Sequence, residues 1–213
     1  MLRKEITYFL TALMFFTRIP IPFKIPYSNE IMNQSQKYYA AIGLLVGLFN
    51  AVIYTICQFI LPVDISIIIT MIASVLLTGA FHEDGFTDVC DSFGGGYGKE
   101  KIMTIMKDSR IGAYGVIGAI LLLLLKYTSL KHIAEDNYWL MIFTLIAAHS
   151  VSRFFSGMII YTHKYVTYIY KSKSKPMANK ALPIQNLVIS FIFSLLPFIV
   201  FGEWKFLLIL PLC

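Results

Sequence analysis

Charge is scarce in this sequence. Asp, Glu, Lys and Arg make up 14% of its 213 residues, against about 25% in ordinary soluble domains. Cysteine is scarce too. Cys57, Cys90 and Cys213 are scattered and odd in number, which provides neither a disulfide framework nor a zinc pattern. What is abundant is apolar sequence: 57% of residues are hydrophobic and the mean hydropathy is +0.70. Several long apolar runs predict a polytopic membrane protein, with the lipid bilayer as its first partner. The runs are continuous rather than alternating, so helices are expected and a β-barrel is not. The predicted fold is all-α, a polytopic integral membrane helical bundle of about five to seven membrane helices. Residues 1–213 leave room for one membrane domain and no separate soluble one. The net charge of +6 reads as topological, with no nucleic-acid partner, because the lysines lie between the spans.

The scarce acid is concentrated. Six of the twelve carboxylates lie between His82 and Arg110: Glu83, Asp84, Asp88, Asp91, Glu100 and Asp108. The first four follow directly on an apolar run that ends at Phe81. Such a group repels itself unless cations hold it. On a helix Asp84, Asp88 and Asp91 stand at i, i+4 and i+7 and share one face, with Glu83 about 100° away on its flank. A carboxylate stripe beside a membrane span suits Mg²⁺, which prefers oxygen ligands and bridges carboxylates to substrate phosphates. A solvated acidic helix face is the plainer alternative. Against it, no lysines are interspersed, and Gly94, Gly95 and Gly96 follow at once. Gly85 is costly in an exposed helix, by about 1 kcal/mol, but suits a place where metal and phosphate approach the backbone. Cys90 adjoins Asp91, but a soft thiolate is a poor Mg²⁺ ligand, so it reads as a packing residue.

The run Glu83-Asp84-Gly85-x-x-Asp88-x-x-Asp91, then Gly94-Gly95-Gly96, then Met106-Lys107-Asp108-Ser109-Arg110-Ile111-Gly112-Ala113-Tyr114-Gly115, resembles the cobalamin-5′-phosphate synthase family (adenosylcobinamide-GDP ribazoletransferase). The likeness covers most of the chain, from Thr17 to about Pro176, and includes a Thr-Arg-x-Pro-x-Pro block at Thr17–Pro22. It implies the last nucleotide-loop assembly step of cobalamin biosynthesis. Adenosylcobinamide-GDP and α-ribazole, or its 5′-phosphate, would give adenosylcobalamin, or its 5′-phosphate, and GMP. Mg²⁺ held by Glu83, Asp84, Asp88 and Asp91 would bridge the diphosphate, with Asp88 or Asp91 taking the hydroxyl proton. Gly94, Gly95 and Gly96 would admit the substrate to the backbone. Lys107, Asp108, Ser109, Arg110, Arg153 and Arg18 would line its binding site. The resemblance also leaves room for a homo-oligomer or an association with other enzymes of the pathway. Two rivals share some of these features. The CDP-alcohol phosphotransferases have a comparable acidic pattern, but it carries an Ala-Arg after the glycine that is missing here. A cation transporter would put acids within opposed spans, whereas here they lie together.

Taken in order, Ile6–Phe16 is too short to span comfortably and predicts a helix at the interface, stopped by Pro20 and Pro22. Arg18 beside it reads equally as a phosphate ligand or a headgroup anchor. Spans are expected at Tyr38–Ile60, Val63–Phe81, Ile111–Tyr127, Tyr138–Tyr161 and Asn186–Phe201, the last bent by Pro197. Gly43 and Gly47 mark a helix-packing face. The second span is expected to run straight into the acidic block. Lys99–Lys107 reads as an amphipathic helix on the membrane surface. Asp108 or Ser109 is a candidate N-cap for the third span, and Lys126–Asn137 a mixed-charge loop. His149 and Arg153 share a helix face, and a charge within a span is a functional candidate by default. The tail Lys205–Cys213 stops where the family usually continues, so a C-terminally shortened form or a fragment is expected. The segments 82–110 and 162–185 hold nine Lys/Arg, against Lys131 and Lys205 in the alternate loops. That bias predicts a multi-pass protein of the inner (cytoplasmic) membrane with the catalytic segment 82–110 facing the cytoplasm.

Overall fold

The computed structural model describes residues 2–163 and 183–207. Among these the chain is helical and contains no strand. Two helices open the fold, α1 (Leu2–Phe16) and α2 (Asn29–Ser35), and a 3-10 turn then leads into α3 (Tyr39–Gln58). There follow α4 (Val63–Thr78), α5 (Phe81–Gly95), the short α6 (Lys99–Ile105), α7 (Ala113–Asp136), α8 (Tyr138–Thr162) and α9 (Ile184–Phe201).

The centre is the contact between α3 and α8. Side chains added at Gly43 and Gly47 would collide with the α8 backbone at His149–Ser150 and Leu145–Ile146. The two glycines therefore set how closely the helices approach, as their spacing predicts. Polar contacts lock the register. Ser150 Oγ donates to the Ala40 carbonyl at 3.0 Å. Asn50 Nδ2 reaches Ser74 Oγ of α4 at 3.1 Å and His149 Nε2 of α8 at 2.8 Å. Around this seam lie Tyr54, Ile67, Met141, Leu145 and Ile146, all buried. A second apolar cluster joins α1 to the start of α3, through Leu13, Phe16, Met32, Tyr39 and Ile42.

Four helical segments are long and apolar enough to cross a membrane: Asn29–Gln58, Ala113–Asp136, Tyr138–Thr162 and Ile184–Phe201. A fifth appears only if α4 and α5 count as one broken span, so the described residues support four or five. The second span does not run straight into the acidic block. It ends at Thr78, and α5 leaves at 89° to α4. The cause is local: Gly79 and Ala80 both take left-handed backbone angles, φ 69° and 58°, which no α-helix continues through. The third span is also longer than expected. α7 continues through Tyr127 to Asp136, so Lys126 lies inside a helix rather than opening a loop. Lys131 of α7 pairs with Asp64 of α4 at 2.9 Å, which ties these helices at the end away from α5. The basic stretch Lys171–Lys180 and the tail after residue 207 lie outside the described residues.

Candidate active site

The acidic stretch forms a helix, and α5 packs along the N-terminal half of α7 in the opposite sense. Side chains added at Gly112 and Gly115 would strike the Asp91 carboxylate, and one at Gly118 would strike Cys90. These three glycines, at i, i+3 and i+6, let α5 lie directly on α7. Asp91 closes the join: its two oxygens accept from Gly112 N and Gly115 N, each at 2.7 Å. The first amides of α7 lack intrahelical partners, and a carboxylate suits that positive helix end. Neither Asp108 nor Ser109 caps α7, whose N-cap position is Gly112. The cap comes from a residue on another helix.

The other three carboxylates go elsewhere. Asp84 is exposed and Asp88 half-buried. Neither has an ion-pair partner among the described residues. Asp84 and Asp91 both act on Asp88 through space, which agrees with the shared face that their spacing predicts. Glu83, on the flank, is directed inward. Its Oε2 is buried without a hydrogen-bond partner, within electrostatic reach of Arg153 on α8 and Lys126 on α7. Among the described residues, no three Asp, Glu, His or Cys side chains converge as a ready-made metal cage. The donor set still fits a hard cation. It is all oxygen and lacks neutralising cations on Asp84 and Asp88, and Mg²⁺ takes much of its shell from water and substrate phosphate.

The remaining candidates surround α5. Space over Gly85 is open, so nothing in the fold obstructs an approach to the backbone there. Gly94 and Gly96 have packing reasons, since side chains would collide with the Tyr114 ring and with Ser92 and Ile102, whereas Gly95 is nearly open. In the turn between α6 and α7, Arg110 grips Asp108 with Nη2–Oδ2 at 2.6 Å and Nε–Oδ1 at 3.0 Å. The guanidinium holds the Asp108 carboxyl down at about 2. Arg110 itself, Lys107 and Ser109 are exposed beside this pair. Arg18 donates its backbone N–H to the Leu77 carbonyl at 2.8 Å, and its guanidinium lies over Gly79. It thus sits at the hinge from which α5 starts. Arg153 is 2% exposed. Its Nη1 reaches the His149 carbonyl at 2.9 Å and His149 Nδ1 at 3.3 Å.

The family model for cobalamin-5-phosphate synthase matches residues 8–213, which take in every residue of this site. The chain belongs to the cobalamin-5-phosphate synthase family. It is an enzyme, and the similar curated proteins of that family are transferases by name. An adenosylcobinamide-GDP ribazoletransferase of Shewanella amazonensis is 44% identical over 177 residues, 83% of this chain and 68% of the relative. One of Leptospira interrogans is 44% identical over 201 residues, 94% of this chain and 75% of the relative. One of Vibrio parahaemolyticus is 42% identical over 180 residues, 84% of this chain and 67% of the relative. No solved structure matches the chain.

For this cobalamin-5-phosphate synthase family member, sequence reasoning passed over Lys126. Its signal was present: Lys126 is followed by Leu130 and Ile133 at helical spacing, so the helix had no reason to stop at Tyr127. In the sequence Gly112 and Gly115 stand only as part of the family block; that they and Gly118 form a packing face shows only once α5 is seen against it.

Proposed function

We propose that this protein joins adenosylcobinamide-GDP to α-ribazole, or to its 5′-phosphate, releasing GMP. The reading rests on the family match together with one observation: an acid face on α5 whose Asp84 and Asp88 have no ion pair among the described residues. A ribose hydroxyl of the ribazole attacks the phosphorus attached to the cobinamide arm. The new P–O bond forms, the bond to GMP breaks, and GMP departs with its own phosphate. Asp88 takes the hydroxyl proton. It suits this role better than Asp91, whose oxygens both accept from α7 amides. Asp84 and Asp88, with oxygens from Glu83 and Asp91, would hold Mg²⁺, which when bound neutralises the diphosphate and stabilises the leaving phosphate. Arg110, Lys107 and Ser109 in the exposed turn, Asp108 through its hold on Arg110, and Arg18 at the hinge orient the anionic substrate. Gly95 leaves room for it. The lysine bias supports a cytoplasmic position for this face, on the inner membrane.

The test is GMP release by the purified protein in lipid, given both substrates with Mg²⁺ or with EDTA. Release should need both substrates and the metal. Asp84→Ala and Asp88→Ala should each lose turnover while still inserting in the membrane. Near-normal product formation by either variant would remove the acid face from the mechanism. No release by the folded parent protein would overturn the reaction itself.

A further inference from the structure

The interior of the bundle, at the N-terminal end of α5, holds charge that the fold leaves uncompensated. Arg153 is almost completely buried, at 2% exposed. Its Nη1 is spent on His149, but Nε and Nη2 have no partner among the described residues. The ring of Phe16 lies 5.8 Å from the guanidinium and screens it from one side. Lys126 of α7, half-buried, is within electrostatic reach of Arg153. The one acid near both is Glu83, whose buried Oε2 is also without a partner, and none of the three forms an ion pair among the described residues. Two cations therefore share one carboxylate, without contact.

Burying an unpaired cation costs several kcal/mol, and a charge kept inside a membrane bundle normally marks a ligand path. The cost falls when an anion reaches these unpartnered nitrogens. The free Nε and Nη2 of Arg153 form the edge of the guanidinium fork that fits two phosphate oxygens at once, and the Lys126 ammonium suits a third. The first turn of α5 begins at the same place and has no side-chain cap, so its amides add a favourable dipole for an anion.

We propose that Arg153 and Lys126 form an interior anion site at the start of α5 that takes a phosphate group of a diphosphate substrate. Glu83 is shared. With the site empty it is the counter-charge of the two cations, and when phosphate arrives it is released toward the acid face of α5. Lys126 is then a substrate-positioning residue of the enzyme. The proposal rests on the phosphoryl-transfer reading for the identity of the ligand, but not for the existence of the site.

The experiment uses the full chain, purified in lipid nanodiscs, and inorganic pyrophosphate as the probe. Binding is measured calorimetrically in EDTA, so that no metal contributes. The unsubstituted protein should bind pyrophosphate. Lys126→Met, which keeps the stem and removes the charge, should weaken binding by about ten- to a hundredfold, and Lys126→Arg should restore most of it. In turnover, Lys126→Met should raise KM for adenosylcobinamide-GDP more than it lowers kcat. Arg153→Gln should weaken binding in the same way. If it fails to fold, as judged by its thermal midpoint, the Lys126 pair decides alone. Absence of pyrophosphate binding by the parent protein, or undiminished binding by folded Lys126→Met, overturns the proposal. Pyrophosphate binding that behaves as expected, in a protein that releases no GMP, would leave the anion site standing and overturn only the reaction assigned above.

Discussion

A single carboxylate in this protein joins two helices, a role that sequence spacing does not reveal. Asp91 shares a helix face with Asp84 and Asp88, yet both its oxygens are held by the amides of Gly112 and Gly115. Those bonds span 21 and 24 residues of sequence and fix α7 against α5. A hydrogen bond to a charged group contributes about 1.5–3 kcal/mol, and a bereaved buried donor adds its own desolvation cost. Asp91→Ala should therefore lower the unfolding midpoint in detergent, by about 2–3 kcal/mol of stability. Asp91→Asn, which keeps one acceptor oxygen, should recover part of that loss. Asp88→Asn should leave the midpoint in place while turnover falls, since Asp88 holds no other element. An unchanged midpoint for Asp91→Ala would mean that the α5–α7 join does not depend on this contact. The i, i+4, i+7 pattern was legible in the sequence. What Asp91 faces was not, because its partners lie on a helix whose docking is decided by glycines elsewhere.

Among the elements, the hinge between α4 and α5 decides where the acids stand. Gly79 has φ 69°, a conformation that costs an L-residue about 1–2 kcal/mol, and the Arg18 side chain covers the place a methyl would occupy. Gly79→Ala should thus be destabilising for two reasons, backbone and collision. Combining it with Arg18→Ala should return the collision share, so the double variant should be more stable than the sum of the single changes allows. Strict additivity would show that Arg18 does not pack on the hinge. Helix positions were read from sequence with fair accuracy wherever apolar runs were long. Their ends were not: a straight second span and a third span stopped at Tyr127 were both expected. The 89° turn is made by left-handed angles at Gly79 and Ala80, with the Arg18 side chain packed over it, and α7 runs on because Leu130 and Ile133 continue its periodicity, with Lys131 tied to Asp64.

For the whole molecule, the described helices put the turns at 59–62 and 137 at one end of the bundle, where Thr55 meets Tyr138 and Lys131 meets Asp64, and Ser109, before the start of α7, toward the other. Single cysteines at Ser109 and Asn137, in a background where Cys57, Cys90 and Cys213 are serine, should react with an impermeant thiol reagent from opposite faces of the membrane. Position 109 should be labelled from the cytoplasmic face. Labelling of both from one face would break the topology. A reversed pattern would keep the fold and overturn the orientation drawn from the lysine bias.

Sequence by itself determined that this is a helical membrane protein, where its long helices lie, which residues carry the family resemblance, and that Gly43 and Gly47 mark a packing face. These follow from composition and local periodicity, because a chain in lipid must satisfy its backbone within each helix. Only the tertiary structure decided that the four acids part company. Glu83 turns inward toward Arg153 and Lys126, Asp91 is bound by α7, and Asp84 and Asp88 are left without an ion pair among the described residues. Which way a side chain on one helix turns depends on how closely the next helix can come. Here that distance is set by Gly112, Gly115 and Gly118, residues that carry no charge and no chemistry of their own.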